Sequence, residues 1–106
     1  MAEDHSKQIA ELQAIEQNLS SVTMQRQNFS LQLGEIESAL KELQGKEKAF
    51  KIVGNILVEA DRATLEKELS EKKEVVELRL KTFEKQEAKL KERMQQLQND
   101  VLQKMK

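Results

Sequence analysis

The sequence predicts a mainly α protein: a long antiparallel two-helix coiled coil joined by one β-hairpin, the hairpins of several copies assembling into an intersubunit β-barrel. Three observations predict it. Apolar residues recur in alternating steps of three and four along two long stretches, and a run of strand-like period from Ala49 to Ala60 separates them. The 106 residues are 35% charged and 3% aromatic, with no Pro, Trp or Tyr. Such a chain lacks the bulky side chains that fill a compact core, and its composition is that of long helix.

Helix one is expected over residues 5–44. Its apolar series is Leu12, Ile15, Leu19, Val22, Arg26, Phe29, Leu33, Ile36, Leu40 and Leu43, with Arg26 as its one polar member. Gly45 is suited to the left-handed conformation that closes a helix, and Lys46 and Lys48 follow near the negative end of the dipole. Helix two is expected over 61–105, opened by Asp61 as an amide-capping carboxylate. Its series is Leu69, Lys73, Val76, Leu80, Phe83, Glu87, Leu90, Met94, Leu97 and Val101, interrupted by Lys73 and Glu87. A stripe this narrow specifies a two-helix seam, and each arm is on the order of 60 Å long at 1.5 Å per residue. The whole span, 1–106, reads as one domain.

Between the caps, over 49–60, the period becomes that of a strand. Gly54-Asn55 suits a two-residue turn with glycine at the position that needs positive φ. The turn sets Val53 opposite Ile56, Ile52 opposite Leu57, Lys51 opposite Val58 and Phe50 opposite Glu59. Phe50, Ile52 and Leu57 then share one face, and Val53, Ile56 and Val58 the other. A two-stranded ribbon with two apolar faces and two open edges is not stable alone in water. It either folds back on its own helices or pairs with other chains.

Folding helix two back on helix one pairs residues whose numbers sum to roughly 109 or 116. Both registers bring Arg26 within about one layer of Glu87. Opposite charges at one height either fix the alignment, because a slip sets a charge against leucine, or reach out to water at the edge of a thin coil. At the open end the lower register sets Val101 against Gln8 and Lys104 against His5. Ile9, Val101, Leu102 and Met105 thereby lose apolar partners, with Met94 and Leu97 a turn or two inward. They form either a contact surface for exposed hydrophobic segments or an ordinary frayed end.

Other function classes lack support in the residues. Net charge is −1 with the signs interspersed, unlike the basic stripe of a nucleic-acid binder. There is no cysteine for a disulfide or thiolate site, and His5 is the sole histidine. Asn18-Leu19-Ser20 and Asn28-Phe29-Ser30 match a glycosylation pattern but fall inside a helical seam. No phosphate loop, nucleophile and base pair, or metal-ligand spacing is present, so neither catalysis nor a cofactor is expected. Without a leader or membrane-length apolar run, the expected location is the cytoplasm.

The run Phe50-Lys51-Ile52-Val53-Gly54-Asn55-Ile56-Leu57-Val58-Glu59, followed by Leu65-Glu66-Lys67-Glu68-Leu69, resembles the β-type subunit of prefoldin, most closely the archaeal form. A single hairpin between the helices favours the β type over the α type, which carries two. The linker Gly45 to Lys48, short and charged, departs from the pattern. The resemblance implies an ATP-independent chaperone: hairpins of two α-type and four β-type subunits form a double barrel, and coiled-coil tips capture unfolded polypeptides for a group II chaperonin. It assigns assembly to Phe50, Ile52, Val53, Gly54, Ile56, Leu57 and Val58. Client contact falls to Ile9, Leu12, Leu97, Val101, Leu102 and Met105. The competing class is a structural or adaptor coiled coil that bridges helical partners and uses the hairpin only as a turn.

Overall fold

The computed structural model describes residues 5–105, with the side chain of Met105 outside that description. The element order is α1 (Ser6–Leu43), β1 (Ala49–Val53), β2 (Ile56–Ala60) and α2 (Arg62–Met105). Each element begins and ends within about one residue of the range its periodicity predicts, closer than terminal fraying usually allows.

The caps explain these limits. Gly45 adopts φ 74°, and the Lys46 N–H donates to the Leu43 carbonyl at 3.2 Å, closing α1. At the start of α2 the Asp61 carboxylate accepts from the Thr64 N–H at 3.3 Å and from the Thr64 hydroxyl at 2.8 Å. The Leu65 N–H donates to the Asp61 carbonyl at 2.9 Å, the first full helical turn. Lys41 and Lys104 occupy the last turns of their helices, where a cation suits the dipole.

Every residue of the two apolar series is buried or half-buried, including Arg26, Lys73 and Glu87. Contacts divide the chain into two units. The first joins the segment up to Asn28 with the segment from Lys81 onward, and its most covered residues are Ile15 on α1 and Leu97 on α2. The second is Phe29–Leu80, centred on Ile36, Val76 and Ala49. Glu37 pairs with Lys73 at 3.9 Å in this unit, and the Arg79 guanidinium lies 5.9 Å from the Phe29 ring centre. Lys73, an exception in the seam, therefore turns its ammonium to the solvated edge, as a long basic side chain can.

The two strands pair antiparallel in the predicted register, from Ala49 opposite Ala60 to Val53 opposite Ile56. Gly54 has φ 62°, and among the described residues none other than glycine has positive φ, so Asn55 does not share the left-handed region. This excludes a type I′ turn, which needs positive φ at both positions, and matches type II′.

Gly54 and Gly34 make opposite predictions. An added Cβ meets nothing within 4 Å at either site, so backbone conformation alone decides the effect. Gly54→Val should cost about 1–2 kcal/mol through the positive φ, while Gly34→Ala should add about 0.5–1 kcal/mol in the interior of α1. Urea unfolding of the two variants checks both signs.

Candidate assembly and client-binding surfaces

The predicted assembly residues are brought together on one ribbon and left bare. Only its root is covered: Ala49 is 5% exposed, whereas Ile52 is 76% and Leu57 and Ile56 are about as open. Phe50 and Val53 are more than half exposed, and Val58 is the least open of the six. Alternation puts Ala49, Lys51, Val53, Ile56, Val58 and Ala60 on one face, so coverage fades along that face from root to turn. Among the described residues the sheet has two strands, leaving both outer edges without a ladder partner. Lys51, central in β1, reaches back to Glu68 of α2 at 3.9 Å. An exposed pair of this length contributes about 0–1 kcal/mol.

The predicted client residues divide. Ile9 is 47% exposed and Leu102 60%, while Leu12 and Val101 are half-buried. Leu97 does not join that surface: at 3% exposed it is the most covered apolar residue of its unit. The seam keeps its period into the last turns, so Leu97 still faces inward there. Met105 lies beyond the side chains described. Taking Leu12 and Val101 as seam positions, Ile9 and Leu102 fall off the seam toward one flank. The other flank is charged: Glu11 accepts from Arg93 Nη2 at 2.8 Å and from Nε at 3.2 Å. The end of the first unit is therefore apolar on one side and ionic on the other.

Near the limits of this unit at Asn28 and Lys81, Arg26 and Glu87 meet directly, at 2.9 Å between Nε and Oε2. The same carboxylate oxygen accepts from the Thr23 hydroxyl at 2.8 Å, and Lys91 stands 3.7 Å from Oε1. Thr23 and Lys91 were not evident from the series, although each lies within one helical turn of its partner's position. The Arg26 hydrogen bond, then that of Thr23, holds the Glu87 carboxyl below the ordinary carboxylate range against the opposing effect of burial. A shallow groove of about 390 Å³ opens beside Val22 and Leu90, bordered by Asn18, Ser21, Gln86 and Lys89. Short Asn18 and Ser21 leave that part of the seam uncovered, a feature that apolar periodicity does not register. Among the described residues no group of His, Cys, Asp and Glu side chains has the arrangement of a metal site, and no helix is long and apolar enough to cross a membrane.

A hairpin with two apolar faces and open edges, set between two heptad helices, defines the class: a hairpin-linked coiled coil. A family model described as "Prefoldin subunit" matches residues 6–106. Prefoldin subunit beta of Archaeoglobus fulgidus is 44% identical over 96 residues, covering 88% of this chain and 83% of that protein. The Saccharolobus islandicus prefoldin subunit beta is 36% identical over 97 residues, covering 89% and 77%. The crystal structure of the prefoldin beta subunit from Thermococcus strain KS-1 superposes with a TM-score of 0.81 at 31% identity, covering 91% of this chain and 87% of that one. The chain belongs to the prefoldin family and is a β-type subunit of that chaperone. A β-type subunit is one component of a hetero-oligomeric prefoldin complex.

The depressed Glu87 pKa has a definite sign. A carboxyl lowered on folding contributes stability that is full above its unfolded pKa and is lost as pH falls through the folded value. Glu87→Gln should therefore cost about 1–2 kcal/mol at pH 7 and progressively less below the ordinary carboxylate range. Thermal melts of both proteins across pH 7 to 2 should converge at the acid end.

Proposed function

We propose that this chain acts as one arm of an ATP-independent holdase, which captures unfolded polypeptides at its coiled-coil tip and passes them to a group II chaperonin. The observation that carries the assembly half of this reading is the bare hairpin. Six apolar side chains on two faces, with both strand edges open, require other strands around them. Hairpins of two α-type and four β-type subunits would enclose those faces in a double barrel. We take residues 1–106 as a single domain, because both helices run through both contact units. The complex works in the cytoplasm and uses no cofactor.

Capture at the tip rests on Ile9 and Leu102, with Leu12 and Val101 as half-open neighbours and Met105 beyond them. Leu97 belongs to this set only as the residue that holds the two helix ends together. One such patch is small and holds a client weakly. Several patches on one body act together, because each engaged arm makes the next contact intramolecular and raises avidity by about 10²–10⁴. Release then needs no nucleotide, only dissociation of weak contacts in turn.

Two experiments separate the ends. Ile56→Asp places a carboxylate in the proposed barrel, and light scattering of the mixture with an α-type subunit should show loss of the complex. An unchanged mass supports the adaptor reading instead. The double variant Ile9→Ser with Leu102→Ser should keep the complex mass and thermal stability but weaken suppression of client aggregation. Leu97→Ala should do the reverse at first order, costing about 2–5 kcal/mol as a buried leucine. Full suppression by the double variant would move client contact away from the tip.

A further inference from the structure

Lysines that are separated in the sequence by other residues, Glu84 and Glu87 among them, are brought into one row by α2. Lys81, Lys85, Lys89 and Arg93 follow one another at intervals of four, which is a ridge of the helix surface. Like charges at that interval repel. Arg93 is neutralised by Glu11 at 2.8 Å. The other three are exposed, and among the described residues none of them has an ion-pair or hydrogen-bond partner. Glu87 is already held by Arg26, Thr23 and Lys91. The facing helix offers nothing instead: from Gln17 to Asn28 α1 carries no carboxylate, and its one charge there is Arg26. Three repelling cations thus stand where the chain supplies no anion of its own.

A helix turns by about 100° per residue, so each step of four rises about 6 Å and advances about 40° round the axis. The row slants toward α1 and reaches it at Lys89, which borders the groove of about 390 Å³ beside Val22 and Leu90. Arg93, one step further, touches α1 through Glu11. Asn18, Ser21 and Gln86 complete the rim with uncharged groups. In an extended peptide the side chains of one face repeat about every 6.6 Å, close to the spacing of the lysines. Acids at alternate positions therefore meet Lys81, Lys85 and Lys89 in turn, and the flexible lysine stems absorb the mismatch. A residue just past the third acid arrives over the groove, where an apolar side chain leaves water.

We propose that Lys81, Lys85 and Lys89, together with the groove beside Val22 and Leu90, form a docking site for an extended acidic segment of another protein, with three alternate carboxylates followed by an apolar anchor. The site shares no residue with the tip pair Ile9 and Leu102 and does not rest on capture there. A single-stranded nucleic acid also presents regular negative charge, but such binding draws on exposed aromatic platforms. Phe83, the aromatic residue of this stretch, belongs to the seam and is half-buried. The apolar groove at the end of the row favours a peptide.

The probe is a fluorescein-labelled octapeptide, Ser-Glu-Ser-Glu-Ser-Glu-Leu-Leu, titrated with the full-length chain and followed by anisotropy. Saturable binding that weakens with added salt is expected. Combining Lys81→Gln, Lys85→Gln and Lys89→Gln should weaken it about tenfold, as loss of three exposed ion pairs does. The same peptide with Gln in place of Glu should lose as much on the wild-type chain, a comparison that needs no altered protein. Ser21→Leu, which fills the groove from an exposed position, should weaken the Leu-ended peptide several-fold and leave a Ser-ended one unchanged. Thermal melts of both variants should match the wild type. No saturable binding to the wild type overturns the proposal, and so does equal binding of the Gln peptide, which means apolar capture alone. Binding of labelled oligouridylate as tight as that of the peptide, or tighter, means a general polyanion surface and overturns it too.

Discussion

Everything in this chain depends on the narrowness of its seam. A two-helix coil buries about two positions in seven on each helix, so there is no second layer to rescue a side chain placed wrongly. That constraint explains why, among the described residues, no large side chain is fully enclosed and five residues carry the deepest burial. It also explains the cost structure of the polar layer. In a broad core Arg26 and Glu87 would need extensive desolvation, and such a pair is often no better than an apolar one. Here Arg26 retains contact with water while Glu87 is nearly covered, so the attraction is kept and much of the penalty avoided.

The same constraint makes the chain incomplete by itself. Hydrophobic burial scales with area removed from water, and the hairpin removes little of its own beyond Ala49. The helices cannot bend around to cover it because their apolar stripes are already committed to each other. Apolar surface at the hairpin is thus a consequence of geometry as much as of composition. Stability of that segment is linked by mass action to whatever chains pack against it.

Much of this was legible in the sequence, and the parts that were not have a physical reason. The seam, the hairpin register and both caps follow from short-range rules: period, turn chemistry and a side chain that reaches its own backbone. Arg26, Lys73 and Glu87 are half-buried, because position on the helix decides direction before side-chain type does. The tip was harder. Leu97 and Leu102 are both leucines near the same end, yet one is buried and the other open, which only the heptad phase separates. Met24, Leu31 and Leu78 are apolar and exposed because they lie off the seam. Apolarity alone would have put them inside. Pairing of Thr23 with Glu87 depends on the cross-helix alignment, which two competing registers left open.

Four residues lie between Leu97 and Leu102, and they separate two kinds of constraint. One leucine answers to folding and the other, facing outward, does not. A lineage could therefore make its tip stickier, more selective or nearly inert by drift at outward positions alone, without passing through unstable intermediates. If the tip is the capture surface proposed above, that surface can change on a scaffold that stays fixed.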